Sequence, residues 1–466
     1  MLIEQFYLGC LSQASYVIAD ESAGEALVVD PRRDVEVYER FMAERGLRLV
    51  GVALTHFHAD FLAGHLELRA RHGVPIHLGA RAEAEFEFSP LGDGDELAVG
   101  DVRITALETP GHTPESVSYV VREGAEGAPR AVLTGDTLFI GDVGRPDLLA
   151  SVGVTSEELA AMLHRSLHGK LMALPDDVLV YPAHGAGSLC GKNLSTETVS
   201  TIGAQRAGNA ALQASDLEAF VAMVTAEQPA APGYFLHDAV LNKQERALLP
   251  DTVARSMVRL SPAEVREHAG DGALLLDVRT EDEFHEGFMR GSVHVGLNGR
   301  FAPWAGSVVE PGRRIVVIGR GEQLEEAVVR LGRIGYDTVV GVADWSELDA
   351  DLGSSERDRT HRVPPSDLVD HLAATGAAIV DVRAPGEHRA ASYPGARSAP
   401  LDRLASLAEG WDRDEPLLVH CAGGYRSSCA ASLLQGMGFR HVRDLEGGFH
   451  PGLVGELAAR PAPEWR

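Results

Sequence analysis

Short apolar runs punctuate the first 185 positions: YVIAD, ALVVDP, LRLVGVALTH, SVSYVV, AVLTGD and VLVYPAH. Each has strand length, and between them VEVYERFMAERG and FLAGHLELRARHG repeat apolar residues every three or four positions, the period of an amphipathic helix. This predicts a mixed α/β domain. The polar motifs THFHAD, TPGHT, TGDT and YPAHG each follow a strand-like run, on the loops where a rigid sheet presents chemistry. Residues 186–250 read as helical, through STETVSTIGAQRAGNAAL and DLEAFVAMVTAEQ. They complete a first domain over residues 1–250.

The remainder is a duplication. ALLLDVRTEDEFHEGFMRGSVHV around Asp277 matches AAIVDVRAPGEHRAASYPGARSAP around Asp381, 104 residues later. IVVIGRGEQLEEAVVRLGRIGYDTVVGVADW matches LLVHCAGGYRSSCAASLLQGMGFRHVRDLEGG in the same order. A repeat of this length is a whole α/β domain, not a solenoid unit. Two copies are expected, at 255–352 and 362–466, with joints near Leu249-Pro250 and in SSERDRTHRVPP.

Composition narrows the function classes. The chain has 466 residues, 45% of them hydrophobic and 24% charged, an ordinary globular balance. Its apolar runs are too short to cross a bilayer, and Glu4 stands where a signal peptide needs positive charge. Four cysteines, Cys10, Cys190, Cys421 and Cys429, are too few for a disulfide scaffold and suggest reduced thiols in a cytoplasmic protein. A net charge of -26 argues against nucleic-acid and membrane-surface partners. The oligomeric state is left open, a homo-oligomer being compatible with all of this.

The stretch THFHADFLAGH, residues 55–65, carries three histidines and an aspartate. His56 and His58 are two apart at a strand end, so both rings can face one metal, with His112 of TPGHT and Asp136 of TGDT as further ligands. Imidazole and carboxylate suit Zn, Fe or Mn. The pattern resembles the metallo-β-lactamase fold, an αββα sandwich, in which H-x-H-x-D-H opens a two-metal site. Phe61 stands where the two-metal members place the first histidine of the second metal, and the resemblance then implies one metal per chain. The second site would keep only Asp60, His184 and the shared Asp136.

One-metal members built on two histidines and one carboxylate resemble the persulfide dioxygenases, relatives of glyoxalase II. That resemblance implies Fe(II) held by His56, His112 and Asp136, with zinc as the alternative, and leaves His58 as a weak ligand or a hydrogen-bond partner. FIGDVGRPDL (139–148) and AHGAGSLCGKN (183–193) are similar to segments of the subgroup fused to rhodaneses. Cys190 has two readings, a thiol that carries persulfide to the metal or a small packed side chain, and Lys192 would favour its thiolate from nearby.

In LLVHCAGGYRSSCAASLLQGMGF an apolar strand ends at His420, Cys421 opens a glycine-rich loop, and a helical period begins near Ser427. Inward-pointing N–H groups, a helix N-terminus and Arg426 would together stabilise an anion at a nucleophilic Cys421. The loop resembles that of rhodaneses, with DVR at 381–383 and EGG at 446–448 also in family positions. A phosphatase loop has one residue more between Cys and Arg. Cys429 is expected to be a packed helix residue. In the middle copy, alignment places Ile318 opposite Cys421, so that copy is read as an inactive spacer or docking module.

The expected function is oxidation of a low-molecular-weight persulfide by O2 to sulfite, coupled to sulfur transfer at Cys421 that forms or consumes thiosulfate. A glyoxalase II-like thiolester hydrolase using a zinc-bound hydroxide is the rival enzyme. A sulfur carrier or redox sensor with a structural metal is the non-catalytic alternative.

Overall fold

The computed structural model describes residues 1–148, 153–192, 194–226, 228 and 231–458. They form two compact units, one comprising Met1–Leu249 with Gly332–Gly335, the other Pro250–Leu331 with Tyr336–Arg466.

The first unit is built on two six-stranded sheets. One runs in sequence order from β1 (Leu2–Leu8) through β2 (Gln13–Asp20), β3 (Glu25–Val29), β4 (Arg48–Ala53) and β5 (Ile76–Gly79) to β6 (Ser89–Leu91). The other holds β7 (Glu96–Val99), β8 (Val102–Glu108), β9 (Val117–Glu123), β10 (Pro129–Gly135), β11 (Leu179–Pro182) and β12 (Ser200–Thr201), again as sequential neighbours. Strand alternation sends each face to a different core. Tyr119 and Val121 of β9 and Leu133 of β10 meet Tyr16, Ile18 and Leu27 of the opposite sheet. Val120 and Val132, on the other face, meet Leu163 and Leu167 of the helix Ser156–Gly169 and Phe220 of the helix Leu217–Thr225. This is the expected sandwich with helical outer layers.

Two expected helices differ from their sequence reading. FLAGHLELRARHG becomes helical only at His65, because 61–64 is held as a loop: Gly64 approaches the Arg32 carbonyl so closely that a Cβ would lie 2.3 Å from its oxygen. Between 186 and 250 the described residues first make irregular backbone and the short β12. The helices Ile202–Gly208, Leu217–Thr225 and Tyr234–Leu241 follow.

The second unit contains the duplicated lobes. The first lobe has β13 (Leu274–Asp277), β14 (Phe288–Met289), β15 (Val293–His294), β16 (Ile315–Gly319) and β17 (Val339–Asp344), with sheet order β15-β13-β16-β17 and every pairing parallel. After β18 (Arg357–Asp358), which pairs with β14, the second lobe contributes β19 (His361–Val363), β20 (Ala378–Asp381), β21 (Arg397–Ser398), β22 (Leu417–His420) and β23 (Val442–Leu445). Its order is β19-β23-β22-β20-β21, also parallel throughout. The central strands β13, β16, β20 and β22 are buried at every residue. Their continuous apolar runs follow from having both faces covered.

Register corrects one expectation. Asp277 pairs with Ile318 in the first lobe, and Asp381 pairs with His420 in the second. Ile318 therefore matches His420, and the residue opposite Cys421 is Gly319. A Cβ at Gly319 would lie 2.9 Å from Val278 Cγ2. The middle lobe lacks a nucleophile because its position carries no side chain.

Candidate metal centre and cysteine loop

The four strand-end motifs converge. His56, His112 and Asp136 bring one ligand atom each within 4.8 Å of one another, and all three are buried. Nε2 of His56 and of His112 lie 3.8 and 3.5 Å from Asp136 Oδ2. These separations are too long for hydrogen bonds. They suit donor atoms that share one cation at ~2.0–2.2 Å each.

Surrounding groups orient the rings. Thr55 gives its hydroxyl proton to Asp30 Oδ2 at 2.8 Å, so toward His56 Nδ1, 3.0 Å away, it can only accept. His112 donates from Nδ1 to the Arg145 carbonyl at 2.9 Å, and His184 from Nδ1 to the Ser12 carbonyl at 3.2 Å. All three thus present Nε2 lone pairs inward, the form that binds metal. Both Asp136 oxygens, His184 Nε2 and Asp60 Oδ1 are buried without hydrogen-bond partners. Buried polar atoms are rarely left so, and the residues present fit a resident metal. Burial, then the charges of His58, His112 and His184, pushes the His56 pKa well down, which keeps the ring neutral for ligation.

His58 takes a place the sequence left open. It groups with Asp60 and His184, and its Nε2 lies 3.1 Å from Asp30 Oδ1. Burial works against the imidazolium, but Asp30, Asp136 and Asp60 raise its pKa overall. A second set of three donors therefore adjoins the first, beside Phe61, whose fully buried ring is centred 4.3 Å from that of His58 and 6.4 Å from that of His184.

Several residues that build this pocket went unnoticed in the sequence. Asp30 adopts a left-handed φ of 49° and holds Thr55 by both backbone and hydroxyl; the only local signal is Asp-Pro after a buried strand. Asn242 donates to the carbonyls of His58 and Phe61 and accepts from the Ala63 N–H. Arg145 pairs with Asp147 through two 2.6 Å contacts and donates to the Leu189 carbonyl, and its N–H reaches the Cys190 carbonyl. The 139–148 segment thereby ties His112 to the Cys190 loop. Gly144 permits this path, since a Cβ there would lie 1.8 Å from the Asp136 carbonyl oxygen.

Cys190 is buried and groups with Asp136 and His184. Burial, with Asp60 and Asp136 nearby, pushes its thiol pKa well up. Lys192 does not assist it, because its ammonium donates to the Met223 and Ala226 carbonyls. These observations count against a thiolate at Cys190. Asn193, the last residue of that segment, lies outside the described residues.

In the second unit Cys421 sits where β22 enters the loop, and the Gly424 N–H points at its sulfur at 3.1 Å. The helix Tyr425–Gly436 starts two residues earlier than expected, after Gly424 at φ 103°. Arg426 is held by Glu387 through contacts of 2.7 and 2.9 Å. Below the loop, the Phe449 N–H donates to the Cys421 carbonyl at 2.7 Å. Gly448, at φ 79°, comes so close that a Cβ would lie 2.6–2.7 Å from Ala422 and Cys421 backbone atoms. Burial would raise the Asp381 carboxyl, but Arg383, His420 and His388 bring it down to about 2. Asp277 and Arg279 form the same clamp in the first lobe. Cys429 is fully buried in the helix, and burial raises its thiol pKa.

The middle lobe also braces this helix. Tyr425 donates its hydroxyl to the Gly296 carbonyl at 2.6 Å, Ser428 Oγ lies 2.9 Å from His294 Nδ1, and Ser432 Oγ accepts from the His294 N–H at 2.9 Å.

Comparison with known proteins agrees with this architecture. Residues 8–184 match the metallo-beta-lactamase superfamily, and residues 261–346 and 364–451 each match the rhodanese-like domain. A metallo-beta-lactamase from Staphylococcus aureus subsp. aureus COL superposes with a TM-score of 0.66 at 30% identity, covering 74% of this chain and 98% of that one. The chain belongs to the metallo-beta-lactamase superfamily and carries two rhodanese-like domains. Within its metallo-beta-lactamase domain, it is 30% identical over 190 residues to human mitochondrial persulfide dioxygenase ETHE1, covering 40% of this chain and 68% of that protein. It is 40% identical over 161 residues to hydroxyacylglutathione hydrolase of Hahella chejuensis, covering 34% of this chain. The chain spans only 57% of that relative's length. Among the described residues no helix is long and apolar enough to cross a membrane.

Proposed function

We propose that the metallo-beta-lactamase domain, residues 1–250, oxidises a low-molecular-weight persulfide with O2 and water to sulfite and the free thiol. The rhodanese domain, residues 362–466, would then transfer sulfane sulfur through Cys421, with residues 255–352 as a silent supporting copy. The observation that carries the reading is Phe61, whose phenyl ring stands beside His58 where a further nitrogen donor would complete a second metal site. The human relative, named a persulfide dioxygenase, and the rhodanese-like match around Cys421 support it further.

His56, His112 and Asp136 would hold one Fe(II). When bound, such a metal supplies redox and Lewis-acid chemistry toward sulfur and O2. The chain's own residues prepare the pocket: Thr55 and the Arg145 carbonyl fix the His56 and His112 tautomers, and the buried rings of Phe61 and Phe139 pack beside His58 and His184. At the second site, beside the Gly424 N–H and Arg426, the Cys421 thiolate would attack the outer sulfur of a low-molecular-weight persulfide, breaking its S–S bond, releasing the donor's thiol and leaving a persulfide on Cys421. Sulfite attacking the outer sulfur would leave as thiosulfate and restore the thiolate.

A second reading rests on the additional donor set His58, Asp60 and His184. Two zinc ions across both sets would support thiolester hydrolysis, the activity in the name of the Hahella relative. Metal analysis with an oxygen electrode separates the two. The dioxygenase reading expects about one iron per chain, persulfide-dependent O2 uptake, and thiosulfate as the main product. Cys421→Ser should keep the O2 uptake and release sulfite instead. Two tightly held zinc ions with thiolester hydrolysis, and no O2 uptake, would overturn it.

A further inference from the structure

The second unit contains a cleft of about 840 Å³ that neither proposed reaction uses, in which Arg290, Arg357, Arg359, His361, Arg440 and Arg443 outnumber two carboxylates, Glu286 and Asp358. Its size is that of a small-molecule site. In a protein with 68 acidic against 42 basic residues, arginines are expected to find carboxylates, and three of these do. Arg357 pairs with Asp349, Arg440 with Asp414, and Arg290 Nε lies 3.7 Å from Asp358. Arg359 and Arg443 have no carboxylate partner among the described residues; the one side-chain bond of Arg443 goes to the neighbouring Val442 carbonyl at 3.2 Å.

Backbone pairing concentrates these charges. β19 lies parallel to β23 with His361 opposite Arg443, and Arg359 is two residues before His361. Burial and then the charges of Arg443 and Arg359 lower the His361 pKa, as expected where like charges crowd together. Phe439 and Val442, both buried, also line the cleft. The cleft borders the Arg443 side of β23, whereas Cys421 follows the last residue of the parallel strand β22, so the two sites lie toward opposite strand ends.

We infer that this cleft binds a small dianion through Arg359 and Arg443, with the rest of its volume open to an organic body. Two guanidinium forks match the geometry of a tetrahedral oxyanion. A phosphate monoester and thiosulfate share that chemistry, and the sequence features assigned to Cys421 play no part in the site.

The test uses the full-length chain carrying Cys421→Ser, so that sulfur transfer does not consume the probe. Phenyl phosphate and thiosulfate are titrated separately by calorimetry, against this protein and against the same protein with Arg359→Gln and Arg443→Gln. Losing charge-assisted contacts of this kind weakens binding by about tenfold or more. The expected result is saturable binding of at least one probe that falls by that factor in the double variant and weakens with added salt. Preference for phenyl phosphate assigns a phosphate ester, and preference for thiosulfate assigns a sulfur oxyanion. Absence of saturable binding, or equal affinity in both proteins, overturns the inference. An unchanged circular dichroism spectrum and melting midpoint in the double variant establish that any loss is local.

Discussion

Replacing Phe61 with histidine tests what its ring does. The side chain is fully buried between His58 and His184, and its backbone carbonyl stays bonded to Asn242 whichever side chain is present. Phe61→Ala would cost ~3–5 kcal/mol as a cavity. Histidine retains part of the volume but buries polar nitrogens, at ~1–3 kcal/mol for one left unsatisfied. With some lost apolar contact, the metal-free variant should be destabilised by roughly 2–4 kcal/mol. At ~2–4 °C per kcal/mol for a unit of this size, its melting midpoint should fall by roughly 5–15 °C. The new imidazole also joins the donors His58, Asp60 and His184. Metal binding at a hundredfold excess over Kd stabilises by ~2.7 kcal/mol, so added zinc should restore much of the lost midpoint. The assay is paired thermal melts with and without zinc, combined with elemental analysis of dialysed protein. A second metal equivalent in the variant, absent from the parent, is the expected result. If Phe61→His binds no additional metal, or the parent already holds two, Phe61 is not what limits the site to one ion.

Burial pushes His420 down to about 4 from an ordinary value near 6.5, despite the opposing charge of Asp381. The unfolded chain therefore gains a proton as pH falls below ~6.5 while the folded lobe does not until ~4, so stability is lost across that window, by at most about 3 kcal/mol. Urea midpoints of the rhodanese domain measured through it should fall with pH, and His420→Gln should flatten the slope; equal slopes would contradict the assignment. Gly448→Ala forces a Cβ against the Ala422 and Cys421 backbone at a left-handed φ. It should displace the loop and remove most thiosulfate:cyanide sulfur transfer while leaving O2 uptake intact, and wild-type transfer rates in this variant would show that the loop tolerates the displacement.

Local patterning was enough to read a mixed α/β first domain, the duplication and the placing of His56, His58, His112 and Asp136 on strand-end loops, because strand alternation and strand-end loops are encoded by neighbouring residues; the sandwich and the grouping of His56, His112 and Asp136 came from the family resemblance. The partition of His58 was not readable. Which way a ring turns at a strand end depends on Asp30, whose left-handed backbone follows the end of β3, and on Asn242, distant in sequence. Alignment of similar runs identified the middle lobe as a copy without the cysteine but chose Ile318 as the counterpart of Cys421, and only hydrogen-bond register between strands moved that to Gly319. The helix of FLAGH was delayed for a related reason, since a tertiary contact at Gly64 overrides a favourable helical period. The basic cleft was invisible in a chain of net charge -26, because composition averages over the surface, whereas parallel pairing of β19 with β23 sets His361 against Arg443. Sequence carries the identity and local geometry of each group; only the tertiary structure decides which distant partner completes its hydrogen bonds and charges.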